Sequence, residues 1–230
     1  STHARLTFNL MEGLKLSLFG AYTYNIVENS QYLPTSVWAN GQAYKGTKKR
    51  ESLLGNMMLT YKKNWKKHFF DVLALAELQK ETYTGYYTTV SNFSTDKFGY
   101  NNLQAGALRL WEGTNSYYEQ PRLASFMGRF NYTYADRYVL TLNARTDASS
   151  KFGANHKWGF FPSASAAWVI SEEEFMKQLP MVDNLKFRIG YGLAGNQSGI
   201  DSYTTLNLVK PNGVVPVGNS AVVSLGDLRN

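Results

Sequence analysis

Cysteine is absent from the 230 residues, so neither a disulfide framework nor a thiolate metal site is open to this chain. No run of about 18 apolar residues occurs, which excludes a transmembrane helix. It does not exclude a membrane, because barrel strands alternate in polarity and score weakly on hydropathy. No signal-peptide pattern opens the sequence at Ser1; either a leader has been removed or the chain begins inside a longer protein. His3, His68 and His156 lie far apart without metal-ligand spacing. No Ser-His-Asp set carries a nucleophile elbow, so no catalytic residue, metal or cofactor is assigned. The formal charge is +7, but no helical stripe carries it. The clearest basic groups, Lys48-Lys49-Arg50 and Lys62-Lys63 with Lys66-Lys67, fall at strand ends and turns. They read as solvated turns or lipid-headgroup contacts, and nucleic acid is not expected as a partner.

What the chain does have is β-alternation. Hydrophobic residues make up 43% and aromatics 15%, with 16 tyrosines, a composition that suits strands with one apolar and one wet face. From Leu123 to Asp147 two long strands are written. The first shows Ala124, Phe126, Gly128, Phe130, Tyr132 and Tyr134 on one side, and Ser125, Met127, Arg129, Asn131 and Thr133 on the other. A tight turn at Ala135-Asp136-Arg137 leads to a second, with Tyr138, Leu140, Leu142 and Ala144 opposed to Thr141, Asn143, Arg145 and Asp147. The strands exceed the usual globular length of about 5–6 residues and match the roughly 9–11 needed to cross a membrane at a tilt.

The theme recurs. Leu6, Phe8 and Leu10 precede a turn at Met11-Glu12-Gly13, followed by Leu14, Leu16, Leu18, Gly20, Tyr22 and Tyr24. A polar segment from about 25 to 50 is expected as a loop. Leu53 to Tyr61 and Phe70 to Leu78 give the next pair, joined near Asn64-Trp65-Lys66. A second long loop is expected over about 81 to 120. Strands at about 159–170 and 185–193 follow, with another possible at Tyr203 to Val209. Short and long connections alternate, as tight periplasmic turns and longer outer loops do in outer-membrane barrels. Tyr61, Trp65, Tyr132, Tyr134, Tyr138 and Trp168 gather at one end, and Tyr22, Trp158 and Phe160 near the other. The fold class expected is all-β: an antiparallel meander of about eight or nine long strands forming part of a large transmembrane β-barrel.

The most specific stretch is Arg145-Thr146-Asp147-Ala148-Ser149-Ser150-Lys151-Phe152-Gly153, then Asn155-His156-Lys157-Trp158-Gly159, Phe161-Pro162-Ser163 and Ala166-Ala167-Trp168. With Glu173, Phe175, Met176, Leu185-Lys186-Phe187-Arg188, Tyr191-Gly192 and Gly195-Asn196-Gln197, it resembles the SusC/RagA class of TonB-dependent outer-membrane transporters. The resemblance covers about 122 to 203; the earlier part agrees in pattern only. Ala148 stands where the family usually has Gly, which would strain a position needing positive φ. Gly153 and Gly159 are expected to permit tight turns around a compact loop. Pro162 is placed near a strand start, with Ser163 and Ser165 on the wet side.

The resemblance implies that residues 1–230 are part of a TonB-dependent transporter barrel, without plug, TonB-contact segment or closing strand. It implies import of oligomeric nutrients, glycans or peptides, in the outer membrane of a Gram-negative bacterium. The implied partners are a SusD-like surface lipoprotein, the TonB complex acting through a plug region, the oligosaccharide or peptide substrate, and outer-membrane lipid. A soluble β-sandwich carbohydrate-binding domain and a secreted β-rich polysaccharide-degrading enzyme are the alternatives. Arg129, Arg145, Asp147 and Arg188 are expected to face the lumen, the last three in one hydrogen-bonded network. The loop aromatics Trp38, Tyr44, Tyr83, Tyr86, Tyr87, Trp111, Tyr117 and Tyr118 are the candidate substrate contacts, because aromatic faces stack on sugar rings or pack on peptide side chains. Two further patterns carry less. Gly190-Tyr191-Gly192-Leu193-Ala194-Gly195 fits a dinucleotide fingerprint but opens no helix. Glu172-Glu173-Glu174 after Ser171 reads as a capped helical turn.

Overall fold

The computed structural model describes residues 1–152, 158–176, 183–195, 208–217 and 220–229. The strands are β1 (Thr2–Met11), β2 (Leu14–Leu33), β3 (Gln42–Trp65), β4 (His68–Phe93), β5 (Gly106–Leu108), β6 (Thr114–Glu119), β7 (Arg122–Tyr134), β8 (Tyr138–Ser149), β9 (Trp158–Val169) and β10 (Lys186–Gly192), then β11 (Leu208–Val217) and β12 (Ser220–Arg229). The first ten form one antiparallel sheet in the order β1-β2-β3-β4-β7-β8-β9-β10, with β5 and β6 also paired to β4; β11 and β12 form a separate hairpin. Of the strand expected at Tyr203 to Val209, residues 203–207 lie outside the described residues and the last two belong to β11.

Two units divide the chain. The first comprises Ser1–Tyr22, Leu53–Lys80 and Arg122–Asp201, the second Thr23–Ser52, Glu81–Pro121 and Ser202–Asn230.

In the first unit the alternation becomes a two-faced sheet. Tyr134 pairs with Tyr138, Phe130 with Leu142, and Phe126 with Thr146; Tyr138 pairs with Trp168 and Leu140 with Ala166; Phe187 pairs with Trp168 and Ile189 with Ala166. Directly opposed residues share a face, so these rows build one apolar surface. Among the described residues nothing covers it: Leu6, Phe8, Leu53, Met57, Phe126, Leu142, Phe160, Phe187 and Ile189 are all exposed. The polar face is the more enclosed, with Ser125 1% and Ser149 4% exposed. A soluble sandwich would bury the opposite face, because apolar surface removed from water drives its folding.

Aromatic rows mark the limits of the apolar band. At one end His68 pairs with Tyr134, Trp65 stacks on His68 at 5.6 Å, and the Tyr134 and Tyr138 rings are 6.4 Å apart. At the other, Phe126 stacks on Trp158 at 6.1 Å. The rows are eight residues apart from Tyr134 to Phe126 and ten from Trp168 to Trp158, roughly 26–33 Å along a strand. At a tilt of about 40° that projects to about 20–25 Å, in line with the apolar height of about 25 Å found in outer-membrane barrels.

Three connections at the Tyr134 end, β1–β2, β3–β4 and β7–β8, are two or three residues long, whereas the one from β9 to β10 is longer. Gly13 has φ +80°, and a Cβ there would stand 2.1 Å from the Lys62 carbonyl oxygen, so only glycine fits. Ala135 and Asp136 take φ 52° and 58°, the left-handed pair that matches strand twist in a hairpin. The turn expected at Asn64-Trp65-Lys66 falls instead at Lys66-Lys67, with Lys66 at φ 53°.

Several expectations are corrected. The supposed loops at 25–50 and 81–120 are largely strand: β2 runs to Leu33, β3 starts at Gln42 and β4 reaches Phe93. Outside lipid a strand needs no apolar stripe, so polarity there does not signal a loop; Thr, Tyr and Val along 82–90 favour extended backbone. The Glu172-Glu173-Glu174 segment is not a helical turn capped by Ser171. A 3-10 turn spans Ile170–Glu172 without a side-chain cap. Gly159 lies within β9, not at a turn, and Gly153 lies outside the described residues. Ala148 is not among the positive-φ residues; it sits in β8 opposite Ala124 and Trp158, so replacing Gly strains nothing. Pro162 lies inside β9, paired with Ala144. Its carbonyl accepts from Leu193 N at 3.0 Å, so its missing N–H points past the end of β10, where no ladder bond is lost.

The second unit holds a small core of Ala43, Val90 and Phe93, against which Tyr32, Leu103 and Ala105 pack. Asp96 staples it. Its carboxylate accepts from the Tyr32 hydroxyl at 2.7 Å and from the Thr35 hydroxyl at 2.8 Å. The Tyr32 bond holds the Asp96 carboxyl below its ordinary range, helped by Thr35, and pushes the phenol up to about 12.

Candidate functional site

The polar face of the first unit is a hydrogen-bonded ladder. Arg129 Nε donates to Asn143 Oδ1 at 2.9 Å, and Asn143 Nδ2 donates to Ser163 Oγ at 3.0 Å. Register explains this: Arg129 pairs with Asn143 and Asn143 with Ser163. Further along, Arg145 Nε reaches both Asp147 oxygens at 2.9 Å, and its guanidinium donates to Ser125 Oγ at 3.1 Å. Arg129, Arg145 and Asp147 therefore share one face of the sheet. Arg188 does not join Arg145 and Asp147. It pairs with Ala167, which pairs with Val139, whereas Arg145 stands six positions along β8, about 20 Å away at the strand rise.

The same register disposes of the glycine fingerprint. A Cβ on Gly190 or Gly192 would meet the Ser165 or Ser163 Cβ at 2.9 or 2.6 Å. The Phe161 ring lies against Gly159 and Gly195, 2.6 and 2.3 Å from where their Cβ atoms would stand. These glycines let strands and a ring pack closely; they cradle no phosphate.

At the tight-turn end of the sheet, against the aromatic row of Tyr138 and Trp168, Glu173 is 9% exposed. It accepts from the Tyr138 hydroxyl at 2.7 Å, Arg137 NH1 at 2.9 Å and Trp168 Nε1 at 3.0 Å. The Tyr138 bond and then the Trp168 bond hold its carboxyl below the ordinary range. Both carboxylate oxygens are engaged in tying the connection after β9 to the β7–β8 turn, so the cluster reads as a structural lock rather than an acid-base pair.

In the second unit the aromatic candidates sort by strand face. Tyr83, Gly85 and Tyr87 alternate on one face of β4, with Tyr117 opposite Gly85. Tyr44 on β3 stacks on Tyr87 at 5.9 Å and 30°. Gly46 leaves room for that stack, since its Cβ would lie 2.7 Å from the Tyr44 hydroxyl. Tyr86 and Tyr118, opposite Ser116 and Thr84, point the other way and are 57% and 60% exposed. Trp38 lies in the turn between β2 and β3, exposed. Trp111 opens a 3-10 turn, Trp111–Gly113; its side chain lies outside the described residues. The structure thus gathers Tyr44, Tyr83, Tyr87 and Tyr117, and separates Tyr86 and Tyr118 from them.

Two residues the sequence did not single out complete this patch. Arg50 NH2 donates to Glu81 at 2.5 Å, the Tyr83 hydroxyl donates to the same carboxylate, and the guanidinium lies 5.7 Å from the Tyr83 ring centre. Burial and then the Glu81 bond push the Tyr83 phenol up. Arg50 and Glu81 are far apart in sequence, and only the pairing of β3 with β4 brings them together. Among the described residues no cluster of His, Asp and Glu fit to hold a metal ion occurs.

Within this unit Tyr83 also pairs with Glu119, and Glu81 N donates to Pro121 O at 3.0 Å.

A family described as TonB dependent receptor-like, beta-barrel, matches residues 1–228. TonB-dependent receptor P3 of Formosa agariphila is 32% identical over 203 residues, covering 86% of this chain and 20% of that protein. TonB-dependent receptor SusC of Bacteroides thetaiotaomicron is 30% identical over 223 residues, covering 87% and 20%. The chain therefore spans about a fifth of the length of these relatives. Among solved structures, the RagAB peptide transporter superposes with a TM-score of 0.82 at 19% identity, over 99% of this chain and 25% of that one, a likeness of fold.

Proposed function

The chain belongs to the TonB-dependent receptor β-barrel family, and on that premise we propose that it is a wall segment of an outer-membrane importer of oligomeric nutrients. The single observation that carries this is the uncovered apolar face backed by a hydrogen-bonded polar one. Hydrocarbon suits the first and a hydrated lumen the second, whereas a charge on the lipid side at mid-membrane costs about 2–4 kcal/mol.

The segment's part is passive: it frames the channel and presents side chains to cargo. Cargo is a glycan or a peptide. The working assembly includes a SusD-like surface lipoprotein and the TonB complex as energy source, in a Gram-negative outer membrane. No catalytic step is assigned to the segment.

The test uses the full-length receptor in its own host. Deletion is expected to abolish growth on one oligomeric nutrient while leaving growth on its monomer intact, and the protein is expected in the outer-membrane fraction with heat-modifiable mobility. Recovery as a detergent-free soluble protein would overturn the reading.

A further inference from the structure

The gathered tyrosines of the second unit form one continuous surface. Tyr83, Gly85 and Tyr87 follow one another along a face of β4, and Glu119, Tyr117 and Asn115 of β6 stand opposite them. Tyr44 of β3 stacks on Tyr87, and the Tyr117 ring fills the space over Gly85. Tyr83 and Tyr87 are four residues apart, about 13 Å along the strand, so more than one ring-sized group fits along the row. The charges on this face cancel. Side chains two residues apart share a face, which places Lys48 and Arg50 with Tyr44, and Glu81 and Glu119 with Tyr83 and Tyr117. Arg50 is in direct contact with Glu81, and the Tyr83 hydroxyl donates to the same carboxylate. The guanidinium is therefore answered within the sheet.

Peptides held in extended form pair with an exposed sheet edge. Along Tyr83 to Thr88 that route is closed on β4, which has β3 on one side and β6 on the other. What the surface presents instead is ring faces, phenol hydroxyls and the Asn115 amide. Ring faces suit the C–H face of a sugar ring, and hydroxyls and an amide suit its hydroxyl groups. An acidic sugar here would lose hydration beside two carboxylates and find the nearest guanidinium already paired. Resting on the importer reading above, we propose that Tyr44, Tyr83, Tyr87 and Tyr117 are a stacking site for an uncharged oligosaccharide, and that Glu81 sets this choice by neutralising Arg50.

The test uses the full-length receptor, extracted in mild detergent with any subunit it retains, on an array of neutral oligosaccharides, acidic oligosaccharides and oligopeptides of matched length. The wild type is expected to prefer the neutral oligosaccharides. Tyr44→Ala/Tyr87→Ala, with heat-modifiable mobility kept, is expected to weaken that binding by about tenfold. Glu81→Gln removes one negative charge and releases Arg50, and is expected to shift the preference several-fold toward acidic oligosaccharides. Preference of the wild type for acidic oligosaccharides or peptides, equal binding to all three classes, binding to none, or an unchanged preference in Glu81→Gln would overturn the proposal. Those outcomes leave the importer reading standing, because growth on the oligomeric nutrient and recovery in the outer-membrane fraction test it separately.

Discussion

The Tyr117 ring lies over Gly85 of the facing strand, with three of its atoms 2.6 Å from where a Cβ would stand. Glycine opposite an aromatic lets the ring settle against the sheet and present its outer face to whatever enters. The same device recurs where Gly46 makes room for Tyr44 and Tyr87. We expect Gly85→Val in the full-length receptor to displace Tyr117 and weaken cargo binding several-fold with surface expression unchanged. Tyr117→Ala should lower affinity by itself and make Gly85→Val neutral when combined. Isothermal titration on the four proteins reads the coupling; additive effects would separate the two residues.

The two faces of β8 give a paired test. Leu142 is exposed on the apolar side, midway between the aromatic rows, while Thr141 lies on the polar side. Leu142→Arg should destabilise the folded barrel by about 2–4 kcal/mol, and Thr141→Arg by much less. Urea-driven unfolding from lipid vesicles measures both.

Backbone geometry separates two turns. Gly13→Ala places a Cβ against the Lys62 carbonyl at φ +80° and should cost more than about 1 kcal/mol. Ala135 already occupies φ 52°, so Ala135→Gly should be neutral or stabilise by up to about 1 kcal/mol. The thermal midpoints of the two variants should move in opposite directions or differ clearly in size.

Glu173 supplies a pH test. Its folded-state value lies below the ordinary carboxyl range because of the Tyr138 and Trp168 bonds. The stabilisation is therefore present above the unfolded carboxyl value and is lost as pH falls through the lower folded one. Glu173→Gln should lower the unfolding midpoint at pH 7, and the gap to wild type should narrow below about pH 4.5. A constant gap across pH would show that shape rather than charge holds the lock.

The sequence by itself determined the strands and their two faces. Alternation at Leu123 to Asp147 is a local property of the backbone: side chains point to opposite sides whatever lies beyond. The ordered motif from Arg145 to Trp168 likewise carried the family before any pairing was known. Tertiary structure decided what depends on register. Whether Arg188 meets Asp147, whether Tyr86 shares a face with Tyr87's stack, and whether Arg50 meets Glu81 all turn on which residue stands opposite which, and a shift of one residue reverses every face. The supposed loops misled for a related reason. Where no lipid or core touches a strand, its apolar stripe vanishes, and only the hydrogen bonds to its neighbour reveal it.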